Sequence, residues 1–129
     1  MAEKKATVTF DAIMRDLKSG KYAPVYILMG DESYYIDRIT DYIAENVLEP
    51  DDRDFNQTVV FGADTTAAQV VDMAKGYPVM PAAHRVVIVK EAQGLKSLDA
   101  LERYFEKPLA STLLVIAYKN GTCFKLRLD

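Results

Sequence analysis

A chain of 129 residues, with 50% hydrophobic and 27% charged residues, has the size and composition of one globular domain with a substantial core. The net charge is −3, and the lysines and arginines are scattered along the chain. Both features argue against direct binding of DNA or RNA by a basic face of the isolated chain. With a single histidine, His84, and a single cysteine, Cys123, one chain cannot build an internal disulfide or a zinc site of the Cys/His type.

The first residues of the chain carry no targeting signal that we can identify. Residues 1–8 are largely polar, lack the apolar segment of a signal peptide, and are predicted to form a flexible leader. No apolar run approaches the roughly 18 residues of a membrane-spanning helix. Together with the lone cysteine, these features predict a cytoplasmic protein.

Four segments are predicted to be strands, and helices are predicted between them. The strands are expected at 25–29, 56–61, 85–89 and 112–117. Helical spacing of apolar residues predicts helices at about 10–17, at 33–48, after Thr66 and after Ser97. Thr66 and Gln69 have the spacing of a capping box, and 51–54 is predicted to be a solvated loop. This alternation predicts an α/β fold of three layers, in which a parallel sheet lies between helices and a leading helix precedes it.

The turn after the first strand occupies the place where many α/β proteins hold a phosphate. Gly30 ends the strand, and the next helix starts near Asp31, Glu32 and Ser33. A working phosphate loop needs G-x-x-x-x-G-K-[ST], whereas this turn has one glycine, no lysine and two carboxylates. The carboxylates suit the positive end of the helix dipole but place negative charge where a phosphate would sit. We therefore interpret 30–33 as a degenerate phosphate loop that binds no nucleotide.

Several stretches, taken in order and with their spacing, resemble the N-terminal domain of the delta subunit of the bacterial DNA polymerase III clamp loader. They lie at 20–32, 35–37, 77–80, 84–92 and 111–117. The resemblance implies an AAA+-like fold with strand order 2-3-4-1, without the family's fifth strand, without nucleotide hydrolysis and without a cofactor or metal. It assigns residues 9–118 to one clamp-contacting domain, and it leaves 119–129 as a tail that we expect to be a truncated continuation.

The resemblance also implies a function, which is to bind the ring-shaped sliding clamp and help to open it during DNA replication. The family uses a short apolar element before its third strand, and the matching position here is Pro78-Val79-Met80-Pro81, with Tyr77 in front. The prolines restrict the backbone on both sides of the apolar pair, which predicts a stiff loop. From the residues alone, packing of Val79 and Met80 beneath the sheet is favoured, whereas with the resemblance projection towards a partner is the better interpretation. The family usually carries bulkier residues there, such as leucine followed by phenylalanine.

Two other classes of function remain open at this point. The chain could be a degenerate nucleotide-binding phosphotransferase, or a doubly wound scaffold module of the receiver type. Lys90-Glu91 occupies the position of a Walker B acidic pair, but a magnesium site there would need a carboxylate in place of Lys90. We therefore expect no intrinsic enzymatic activity, and we expect the partners to be the sliding clamp and other clamp-loader subunits, with DNA contacted only indirectly and no membrane.

Overall fold

The computed structural model describes residues 10–29, 33–80, 82–97 and 99–118. In these residues the helices are α1 Phe10–Lys18, α2 Ser33–Asn46, α3 Pro50–Asn56, α4 Ala67–Ala74 and α5 Asp99–Glu106. The strands are β1 Val25–Met29, β2 Gln57–Phe61, β3 Arg85–Lys90 and β4 Thr112–Tyr118. Short 3-10 turns, Gly62–Asp64 and Ala92–Gly94, follow β2 and β3. The predicted leader at 1–8 and the tail at 119–129 lie outside the described residues.

The strands form one parallel sheet in the order β1-β4-β3-β2, which confirms the predicted order 2-3-4-1. Parallel neighbours cannot be joined by a tight hairpin, so β1, β2 and β3 are each followed by a crossover that contains at least one helix. The helices α4 and α5 lie on one face of the sheet, and α1 and α2 lie on the other. All amino ends of the strands consequently lie at one edge of the sheet, and all carboxyl ends lie at the opposite edge.

The core has two halves, one on each face of the sheet, because successive side chains of a strand point to opposite faces. In β3, Val86 and Ile88 pack with α1 and α2, whereas Val87 and Val89 pack with α4 and α5. All four side chains are fully buried. This explains why β3 is apolar throughout instead of alternating, as expected for a strand covered on both faces.

The leading helix ends in a glycine turn at Gly20. Gly20 has φ +83°, a left-handed conformation that glycine adopts without a Cβ clash. The amide of Lys21 donates to the carbonyl of Asp16 at 2.9 Å, and that of Gly20 donates to Leu17 at 3.1 Å. This pair of hydrogen bonds is a Schellman motif, which satisfies the last carbonyls of α1 and directs the chain into β1.

The prediction of a solvated loop at 51–54 is wrong, because these residues form α3. Pro50 lies in the first turn of α3, where a proline needs no hydrogen-bond partner. Asp51 and Asp52 follow in the same turn, and their negative charge suits the positive end of the helix dipole. The helix runs to Asn56, so β2 begins one residue later than predicted.

The predicted capping box of α4 is confirmed. The amide of Gln69 donates to the hydroxyl of Thr66 at 3.2 Å, and the amide of Thr66 donates to the side-chain oxygen of Gln69 at 3.1 Å. Ser97 similarly accepts from the amide of Asp99 at the start of α5. Among the helices in the described part of the chain, none is long and apolar enough to cross a membrane.

Candidate functional site

The segment that joins α4 to β3 exposes a group of large apolar side chains. The exposed fraction is 73% for Tyr77, 48% for Val79 and 83% for Met80, and Pro78 is half-buried. Packing of Val79 and Met80 beneath the sheet is therefore wrong as an interpretation of this segment. We call residues 77–80 the projecting loop. Pro81, which was predicted to belong to it, lies outside the described residues.

The start of the projecting loop is fixed by side chains from two strands. The guanidinium of Arg85 donates through Nε to the carbonyl of Met73 at 3.0 Å. The hydroxyl of the fully buried Thr112 donates to the carbonyl of Ala74 at 2.8 Å. Both acceptors are carbonyls at the end of α4, of which that of Met73 also accepts from the amide of Gly76, and the positive charge of Arg85 suits the negative end of the helix dipole. The point at which the loop leaves α4 is thus held to β3 and β4.

The far side of the projecting loop is fixed by α3 and by Ala82. Asn56 is 2% exposed, and its side chain bonds to both backbone groups of Val79. The amide of Ala82 also donates to the carbonyl of Val79 at 3.1 Å. Ala82 is itself buried in the core on the α1–α2 face. The loop is therefore anchored through its backbone while its apolar side chains point to solvent.

His84 packs against an aromatic ring close to the projecting loop in the sequence. Its ring meets that of Tyr22 edge-on, with 5.3 Å between the centroids, directly before β3 begins at Arg85. Among the described residues no group of three or more His, Cys, Asp or Glu side chains is placed to hold a metal ion.

The predicted phosphate-loop residues follow β1 in the sequence. Gly30, Asp31 and Glu32 lie outside the described residues, and Ser33 is the first residue of α2. The interpretation of 30–33 as a degenerate phosphate loop therefore stays a prediction. The carboxyl end of β1 lies at the edge of the sheet where doubly wound proteins bind their ligands.

In the described part of the carboxyl edge, the segments that follow β2 and β3 contact each other closely. Glu91 follows β3 with φ 51°, a left-handed conformation, and the side-chain Nε2 of Gln93 donates to its carboxylate at 2.6 Å. A Cβ on Gly62 would lie 2.4 Å from the carbonyl oxygen of Glu91, and one on Gly94 would lie 2.8 Å from the amide nitrogen of Ala63. The two 3-10 turns thus meet backbone to backbone beyond β2 and β3, and an open pocket lies beside them at the starts of α4 and α5.

Sequence reasoning missed two residues near the projecting loop. Asn56 was assigned to the second strand, and Phe55, which is 69% exposed on α3, was not considered. The signal that could have identified the helix is the proline followed by two aspartates at 50–52, which is typical of a helix start. No sequence pattern indicates that the side chain of Asn56 reaches Val79, which is 23 residues away in the chain.

The fold and the site define a class of protein: a three-layer, AAA+-like α/β domain whose exposed apolar loop precedes its third strand. The family model described as DNA polymerase III, delta subunit, matches residues 26–125, and the chain belongs to that family.

Two relatives from Bacillus subtilis show how much of the chain the likeness covers. The chain is 29% identical over 119 residues to the DNA polymerase III subunit delta of strain 168, a match that covers 84% of this chain and 34% of the relative. It is also similar to the solved structure of the Bacillus subtilis DNA clamp loader delta protein, with a TM-score of 0.79 and 26% identity. That match covers 89% of this chain and 37% of the solved one. The chain thus spans about a third of the length of both relatives.

Proposed function

We propose that this chain is the clamp-contacting domain of a clamp-loader delta subunit, which binds the sliding clamp and helps to open it during DNA replication. In this proposal the domain has no catalytic residues and needs no cofactor. Val79 and Met80 enter an apolar pocket of the clamp, and Tyr77 borders them. Contacts with other clamp-loader subunits are made by parts of the subunit outside this match, and the protein works in the cytoplasm.

The observation that carries the proposal is the exposure of apolar side chains on an anchored backbone. Met80 is 83% exposed beside the exposed Tyr77 and Val79. Apolar side chains exposed together in this way are typical of a surface that a partner protein covers. Methionine suits protein interfaces, because its unbranched, polarizable side chain adapts to the shape of a pocket. Fixing the backbone in advance reduces the ordering cost of association, so more of the burial energy is available for affinity.

Surface plasmon resonance with the cognate sliding clamp tests the proposal. Val79→Ala/Met80→Ala removes most of the apolar surface of the loop, and each buried side chain is worth roughly 1.5–3 kcal/mol before losses from ordering. We therefore expect the double substitution to weaken binding roughly 10- to 100-fold.

The matched control is Val59→Ala/Phe61→Ala, which removes two side chains that are 44% and 48% exposed on the edge strand β2. This control should bind like the unmodified chain, and circular dichroism should show that both variants are folded. Equal loss of binding in both variants, or no binding of the unmodified chain at tens of micromolar clamp, would contradict the proposal.

A further inference from the structure

Asn56 makes an unusual set of contacts for a residue in the last turn of a short helix. The backbone amide of Val79 donates to its Oδ1 at 2.6 Å, and its Nδ2 donates to the carbonyl of Val79 at 3.2 Å. The same Nδ2 donates to the carbonyl of Asp52 at 3.2 Å, one turn earlier in α3. One carboxamide therefore bonds to both backbone groups of one residue in the projecting loop and to its own helix.

The chemistry of these partners requires an amide side chain. An asparagine offers an acceptor on one side and two donors on the other. The amide of Val79 needs the acceptor, and the carbonyls of Val79 and Asp52 need the donors, which also fixes the orientation of the carboxamide. A carboxylate of the same shape lacks the donors, and leucine lacks both functions.

The helix that carries Asn56 is itself held in place. The guanidinium of Arg53 donates to the carbonyl of Glu45 at the end of α2, and Asn56 is nearly fully buried. The carboxamide is thus presented from a fixed position at the amino edge of the sheet, directly before β2. The exposed side chains of Val79 and Met80 are attached to the backbone that it holds.

We propose that Asn56 is a positioning residue that holds the projecting loop in its binding conformation. This inference rests on the proposed function, since it assigns Asn56 the task of ordering the loop before the clamp arrives. Without the carboxamide, α3 offers no acceptor to the backbone amide of Val79. The loop must then become ordered while it associates with the clamp. The clamp is then bound more weakly although every contacting side chain remains.

Amide hydrogen exchange tests the positioning directly and requires no clamp. In the unmodified chain, the Val79 amide should exchange slowly although its side chain faces solvent. In Asn56→Leu, which keeps the size of the side chain and removes its hydrogen bonds, exchange at Val79 should accelerate at least about tenfold while β3 and β4 amides stay protected. A Val79 amide that exchanges freely in the unmodified chain overturns the inference, and this measurement does not depend on the folding of any variant.

Clamp binding then separates positioning from a general structural role. Asn56→Leu should weaken binding about tenfold, because the loop then loses conformational entropy when it associates with the clamp. The matched control is Tyr26→Phe, which removes a buried hydroxyl that accepts from the amide of Ala23 at 2.9 Å on the opposite edge strand β1. This control should lose stability to a comparable extent and bind the clamp normally.

The outcomes distinguish this inference from the proposed function. If the unmodified chain binds the clamp and Asn56→Leu binds equally well, Asn56 is not a positioning residue, and the proposed function stands. If Tyr26→Phe weakens binding as much as Asn56→Leu does, the effect follows stability and the inference fails. If the unmodified chain does not bind the clamp, the proposed function fails, and the positioning role fails with it even where the Val79 amide is protected.

Discussion

The two edges of the parallel sheet differ in how their backbone and side chains are arranged. At the carboxyl edge, where doubly wound folds bind ligands, backbone packs on backbone around Gly62 and Gly94. At the amino edge, the backbone of residues 77–80 is anchored and its apolar side chains are exposed. We therefore expect substitutions at the carboxyl edge to lower stability, whereas substitutions at the amino edge should weaken clamp binding.

The largest expected effect is at the amino edge. Met80→Asp places a charge where the proposal puts an apolar pocket of the clamp, and a charge buried without a partner is costly. We expect clamp binding to weaken more than about 100-fold. Because Met80 is 83% exposed, the free energy of unfolding should change by less than about 0.5 kcal/mol. Calorimetric titration and urea unfolding of the same sample measure both quantities, and a large loss of stability would contradict the assignment of Met80 to an exposed surface.

The matching change at the carboxyl edge is Gly62→Ala. Its Cβ would lie 2.4 Å from the carbonyl oxygen of Glu91, and a backbone atom cannot move aside as a flexible side chain can. Overpacking of this kind typically costs about 1–3 kcal/mol. Thermal unfolding should therefore occur at a lower temperature, while the folded variant binds the clamp as before. The control is Gly20→Ala, because a Cβ at position 20 would meet no atom within 4 Å. This variant has the backbone strain of φ +83° without overpacking.

A smaller effect is expected from the helix that runs between the two edges. Thr66→Ala removes the cap at the carboxyl-edge end of α4, and the loss of such a cap typically costs about 1 kcal/mol. Since the other end of α4 is held separately by Arg85 and Thr112, clamp binding should not change. Urea unfolding together with plasmon resonance measures the separation, and weaker binding in this variant would show that the loop depends on the whole helix.

Alkaline pH should weaken the fold through its buried tyrosines. Burial raises the pKa of Tyr104 above its ordinary value of 10.0, and the hydrogen bond that its hydroxyl accepts from the amide of Leu109 opposes this shift. The folded state thus favours the protonated phenol. The stability from this group is complete below pH 10.0 and is lost as pH rises through the raised pKa. Urea unfolding between pH 8 and about pH 11 should show the decline, and Tyr104→Phe should make it less steep.

We expect the residues that follow β1 to bind no nucleotide. Asp31 and Glu32 place negative charge in the turn after β1, and the turn lacks the lysine of a phosphate loop. Isothermal calorimetry with ATP and Mg²⁺ should therefore give no saturable heat. Saturable binding would contradict the interpretation of this turn and would favour the phosphotransferase alternative.

The fold was largely predictable because its elements are determined by local patterns. The strands β1, β3 and β4 are mostly apolar runs, and the capping box at Thr66 identifies the start of α4. The pattern alone predicts a parallel sheet, but the strand order followed from the family resemblance, since periodicity does not say which strands are neighbours. The helix α3 was missed because its charged residues 51–54 were interpreted as a solvated loop.

The site was predictable only in part, because its geometry depends on contacts between distant segments. Residues 77–80 were identified from the resemblance, but the residues alone favoured burial of Val79 and Met80. Their exposure depends on where the backbone is held, and Asn56 holds it from 23 residues away through side-chain bonds that follow no period. Such a contact becomes visible only when the three-dimensional structure places α3 beside the loop.

The most direct test of the central claim is nuclear magnetic resonance of the methionine methyl groups, because it observes the contact without any substitution. The chain has five methionines, of which Met80 is 83% exposed in the projecting loop and Met14 is buried in the core. With increasing amounts of unlabelled sliding clamp, the Met80 methyl signal should shift or broaden first, and the Met14 signal should follow only the slower tumbling of the complex. A Met80 signal that keeps its position and width while the clamp demonstrably binds would contradict the account.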